Sequence, residues 1–210
     1  MVKVGPKNTA HSVKMVFFSF VAICLLIVLV KDESFLFIAA DPEWAHIQPF
    51  KWPLLFHGIF GALALVLGSV QFSDRVRRNH VNVHRWLGRL YVGSVAISAP
   101  IAFYIGTNFQ PKSIQIEQIF QSGFWFVSTA IALICILKKH VALHKLWMMR
   151  SYGFCLVFLL SRVPDAAGVK FDDQLLADML WSLVITAIIV PDLIRTFLES
   201  GKRQLSVARQ

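Results

Sequence analysis

What this sequence lacks narrows it quickly. Its three cysteines, Cys24, Cys135 and Cys155, all fall inside apolar runs without CxxC spacing, so neither a disulfide framework nor a thiolate metal centre is implied. They read as small lipid- or core-facing residues. No P-loop, dinucleotide-binding glycine pattern, nucleophile motif or HExxH is present, so no reaction is written out in the chain. Charge is scarce too, at 16% of residues, with 12 acidic side chains against 21 Lys and Arg and a formal net charge of +9. Such a balance would suit nucleic acid, but the bases occur at the ends of apolar runs instead of on a soluble domain. That argues against a nucleic-acid partner and makes them orientation signals facing anionic lipid headgroups.

What the chain has in plenty is hydrocarbon. With 56% hydrophobic residues and a mean hydropathy of +0.61, it reads as an all-α polytopic integral membrane protein of about six transmembrane helices. The expected spans are Met15 to Val30, Trp52 to Phe72, Arg85 to Gly106, Gln118 to Leu137, Leu146 to Val163 and Leu175 to Thr196. Pro100 should kink the third, Pro164-Asp165 should stop the fifth and Pro191 should interrupt the sixth. Residues 1–14 form a basic N-terminal segment, 15–196 a single transmembrane domain and 197–210 a basic tail. The first run also admits cleavage as a signal peptide at Ala39-Ala40, although its apolar core is long for that. Gly58, Gly61 and Gly68 let a neighbour approach the second span closely.

One stretch returns. His80-Val-Asn-Val-His-Arg-Trp-Leu-Gly-Arg-Leu-Tyr91 is echoed sixty residues on by His140-Val-Ala-Leu-His-Lys-Leu-Trp-Met-Met-Arg-Ser-Tyr152. Spans 2–5 are therefore expected to form a four-helix core built from two duplicated hairpins. Counting Lys and Arg on the two sides of the six-span topology gives sixteen against five, with both termini and both His-rich copies on the basic side. By the positive-inside rule that side is the cytoplasm.

The polar residues near or inside the spans are the candidate site. His84 and His144, each at a helix mouth and followed by a base, are candidate metal ligands to a shared cofactor. Arg85, Arg89 and Arg150 stand ready to neutralise carboxylates, and Gln71, Tyr91 and Tyr152 are nearby hydrogen-bonding groups. His80 and His140 suit the headgroup zone. A bare divalent cation is disfavoured by the surrounding arginines. His57, about one turn inside the far end of the second span, and Arg162, near the far end of the fifth, are candidate catalytic groups. The plainer alternatives are a neutral His57 donating to a facing helix and an ordinary ion pair of Arg162 with Asp165 or Asp178.

Phe56-His57-Gly58, the Gly68 to Phe72 helix end, His84-Arg85-Trp86-Leu87-Gly88-Arg89-Leu90-Tyr91, and His144 through Tyr152 together with Arg162 carry a resemblance. Over about residues 50–165 the chain resembles a family of predicted bacterial membrane proteins catalogued as domain of unknown function 2306. That resemblance implies a multi-pass protein of a bacterial cytoplasmic membrane, without a substrate. More loosely, the chain is similar to transmembrane b-type cytochromes, which implies at most one haem b, held by His84 and His144. A second haem would need a further pair, and His57 has only His46 on its side. The leading expectation is thus a membrane redox protein or oxidoreductase accessory. The alternatives are a small-molecule or lipid transporter or handling protein, and a structural subunit without a cofactor.

Overall fold

The computed structural model describes residues 6–31 and 47–207. Among them there is no strand, and six helices are long and apolar enough to cross a membrane. They are α1 (Pro6–Lys31), α2 (Lys51–Gln71), α3 (Val81–Phe109), α4 (Lys112–Leu137), α5 (Val141–Ala166) and α6 (Asp173–Val207). A single 3₁₀ turn, Gln48–Phe50, leads into α2, and a six-residue helix, Asp74–Asn79, joins α2 to α3. Ala39-Ala40 and His46 lie outside the described residues.

The chain divides into two compact units. Residues 1–47 and 159–170 make the first, which contains α1 and the last turns of α5. There α5 ends in a reversal, with Val169 N–H donating to Pro164 O and Gly168 in the left-handed region at φ 80°. Residues 48–158 and 171–210 make the second, which holds α2, α3, α4, α6 and α5 up to Phe158.

In this second unit α3 and α4 bury many polar or small residues, Ser94, Ser98, Ala99 and Ala102 on α3 and Gln121, Ser122, Ser128, Thr129 and Ala132 on α4, while large apolar side chains cover the outside. On α2, Trp52, Phe56, Ile59, Leu63, Val66 and Val70 are exposed, whereas Ala64, Leu65, Leu67, Gly68 and Gln71 are buried. The inward positions on α2 and α3 recur at spacings of three and four: 57, 61, 64, 68 and 71 on α2, and 84, 88, 91, 95, 98 and 102 on α3. That spacing keeps a seam facing its neighbour along the whole length. Contacts give the directions. His57 meets Ser98 and Gln71 meets His84, so α2 and α3 run antiparallel. Gln121 meets Phe154 and Ala132 meets His144, so α4 and α5 do as well. Tyr91 meets Ser151, so α3 and α5 run parallel at an offset of sixty residues.

Two helix ends and one helix interior differ from expectation. The segment Lys112 to Glu117 opens α4 instead of forming a turn, with Ile114 and Glu117 already on its buried face and Gln115 Nε2 donating to Thr107 O at 2.6 Å across the α3–α4 connection. Pro164 does not stop α5, which runs on to Ala166. Pro191 lies within an uninterrupted α6, since its fixed φ suits the helix and only one backbone donor is lost.

Candidate cofactor site

The two His-rich copies start their helices in the same way. His80 O accepts from His84 N–H at 3.0 Å and His140 O accepts from His144 N–H at 2.9 Å, so each copy uses its first histidine to close the first turn. His80 and His140 are exposed, while His84 and His144 are partly buried. Because α3 and α5 are parallel at the sixty-residue offset, His84 and His144 share a depth, and the two imidazoles lie within electrostatic range of each other.

Their surroundings differ. His144 Nδ1 donates to Ala132 O at 2.9 Å, which fixes the hydrogen on Nδ1 and leaves Nε2 with its lone pair. His84 Nδ1 is buried and has no hydrogen-bond partner among the described residues. Gln71 does not serve its ring. Its Nε2 donates instead to the backbone oxygen of His84 at 3.0 Å, pinning the start of α3 to the end of α2.

The two tyrosines lie deeper, and their hydroxyls bond to serines. Tyr91 OH bonds Ser151 Oγ at 2.7 Å, Ser151 Oγ bonds Thr129 Oγ1 at 2.6 Å, and Tyr152 OH bonds Ser69 Oγ at 2.6 Å. Cys155 Sγ is 3.6 Å from Tyr91 OH. The two rings clasp α2 at Gly68, where a Cβ would collide with the Tyr152 ring and come within 3.1 Å of Tyr91 Cε2. Glycine is required there by close approach.

The arginines divide as well. Arg85 and Arg89 are exposed, with Arg89 lying over the outward Trp86 ring at 5.2 Å. Arg150 is partly buried, pairs with Asp192 of α6 at 2.6 Å and stacks over Trp147 at 4.4 Å. Its charge is therefore already met by a carboxylate of the chain. Arg77 pairs with Asp74 in the connecting helix.

At the far end of α2, His57 is tied to Ser98. Ser98 Oγ lies 2.8 Å from His57 Nδ1 and donates to His57 O at 3.0 Å, and Nδ1 is 3.1 Å from Ser98 O. The His57 ring also meets Phe158 edge-on at 5.1 Å. Fourteen residues separate His57 from Gln71, a rise of about 21 Å, so His57 and His84 belong to opposite ends of the bundle. Arg162 is exposed on α5, in the other unit.

Several buried polar residues carry no motif in the sequence, Ser98 and Glu117 among them. Ser98 offers only a hydroxyl in an apolar run. Glu117 was assigned to a turn, yet it is 0% exposed with neither carboxylate oxygen partnered. The available signal was the spacing of Ile114, Glu117, Gln121 and Trp125, which continues the buried stripe of α4.

A six-span helical membrane protein with a polar seam through its bundle is the class these features define. More particularly, the family described as Predicted membrane protein (DUF2306) matches residues 54–195, and the chain belongs to that family. The match takes in α6, beyond the stretch that carried the resemblance in sequence. No curated protein and no solved structure matches the chain.

Proposed function

We propose that this is a redox protein, or an accessory of an oxidoreductase, in a bacterial cytoplasmic membrane, and that His84 and His144 hold one haem b at the cytoplasmic end of the bundle. The observation that carries this reading is that His84 and His144 lie at one depth, near enough for their charges to interact. Nδ1 of His84 is buried without a hydrogen-bond partner among the described residues. His144, at the same depth, is oriented by Ala132 O with Nε2 as its remaining donor atom for a metal.

The ligand count favours haem over a bare ion. Among the described residues no three His, Cys, Asp or Glu come together, so a cation needing several protein ligands is poorly served. Two imidazoles suit an iron whose other ligands arrive with it. When bound, haem supplies one-electron chemistry. The chain's own part is to hold the two imidazoles and to offer Arg85 and Arg89 toward propionates or lipid phosphates. The excess of sixteen Lys and Arg over five supports a cytoplasmic location for both termini and for this rim, facing anionic headgroups.

An absorption spectrum of the detergent-purified full chain, expressed with haem supplied, tests the reading. A Soret band that shifts on dithionite reduction and is lost in both His84→Ala and His144→Ala is the expected result. A colourless protein, or a band that survives both substitutions, overturns it. The transport or lipid-handling reading then takes precedence, starting from the shallow apolar groove of Trp52, Phe56, Pro100 and Tyr104.

A further inference from the structure

Glu117 has no role in the site described above. It is the most completely buried carboxyl among the described residues, at 0% exposure, and both of its oxygens lack a hydrogen-bond partner. It lies five residues into α4 from Lys112, about 7–8 Å along the axis. From Glu117 to Ala132, whose oxygen holds His144, is about 22 Å, so Glu117 is at the end of the bundle opposite to the paired histidines.

Polar side chains flank it on both sides. Toward the nearer end of α4 come Ser113 and Gln115, and beside it is Gln118, which packs against Gly106 of α3. One turn deeper is Gln121, 1% exposed, with its Nε2 directed at Phe154 O at 3.5 Å. Trp125 and Thr129 continue the same face, and Thr129 opens into the hydrogen-bonded group of Ser151 and Tyr91. Glu117 is thus the outermost member of a polar stripe along the interior face of α4.

An isolated carboxylate in a low-dielectric interior costs several kcal/mol. Two arrangements avoid that cost: a proton on the group or a cation against it. A cation held by several ligands is not supported, because no cluster of three metal-binding side chains occurs among the described residues. The titratable groups that the packed helices bring toward this end include Tyr104 of α3 and Asp173 and Asp178 of α6, and among the described residues none of them hydrogen-bonds to Glu117.

We propose that Glu117 is a proton-binding site inside the membrane, taking up and releasing a proton at the end of the bundle opposite to His84 and His144. The ligand is a single proton, reached from water past Gln115 and Gln118. The proposal stands whether or not haem is bound.

Infrared spectra of the full chain in lipid vesicles, recorded across pH in H₂O and D₂O, test it. The expected result is a protonated-acid carbonyl band that shifts in D₂O, is lost as pH rises and is absent from Glu117→Gln. Dicyclohexylcarbodiimide, which partitions into the bilayer, should label Glu117 only where that band is present. A band missing at every pH, or retained by Glu117→Gln, overturns the proposal. So does a band that neither exchanges nor titrates, because that describes a sealed structural acid. Should Glu117→Gln fail to insert, Glu117→Asp keeps an acid at the position: a displaced band supports the assignment, and an unmoved one assigns it to another residue and overturns it.

Discussion

The bundle has an imidazole near each end, and the two are treated in opposite ways. His57 and Ser98 are tied ring to hydroxyl and hydroxyl to backbone, so that α2 and α3 are clamped together. His84 has its backbone secured by Gln71 while its buried Nδ1 goes unserved. A histidine within a span can therefore be a fastener between helices, or a group whose buried ring nitrogen meets no hydrogen-bonding partner among the described residues. Sequence surroundings do not separate these cases, but an inventory of hydrogen bonds does.

The contrast can be broken by mutation, and the largest effect belongs at the fastened end. His57→Ala removes the ring's hydrogen bond to Ser98 and its packing on Phe158, which should cost about 2–3 kcal/mol, measured as a lowered unfolding midpoint of the detergent-solubilised protein. Ser98→Ala should cost about 1–2 kcal/mol, and its effect should shrink in the His57→Ala background, where only the bond to the backbone oxygen of residue 57 is left to lose. At the other end, His84→Phe loses no protein hydrogen bond of the ring. In haem-free protein it should change stability by no more than about 0.5 kcal/mol in either direction. A large loss there would show that the ring of His84 has a structural partner, and the difference between the two ends would disappear.

The six spans were legible from hydropathy alone, since twenty or so apolar residues in a row have few other fates. Their ends were not. Lys112, Ser113, Gln115 and Glu117 look like a polar turn, yet they form the first turns of a helix, in which Ile114 and Glu117 are buried and Gln115 bonds Thr107 O across the connection. Pro164 and Pro191 read as breaks because proline removes a donor, yet a helix with its remaining bonds intact runs past one missing hydrogen bond. At the site, the equal spacing of the two copies already pointed to His84 and His144 at one depth. The partners of the rings were not foreseeable in this way. Gln71, Tyr91 and Tyr152 were expected to reach the imidazoles, and instead they bind a backbone oxygen and two serines. Which of several nearby polar groups pairs with which depends on distances of an ångström, below what residue spacing encodes.

Gly68 has a consequence beyond close packing. Because the Tyr91 and Tyr152 rings fill the space where its side chain would be, α2 cannot spin about its own axis. A rotation by one residue, about 100°, would carry Leu67 or Ser69 into the two rings. The position without a side chain therefore sets the azimuth of the entire helix, aiming His57 at Ser98 near one membrane surface and Gln71 at His84 near the other. Both ends of α2 are kept in register by an indexing notch one turn from Gln71.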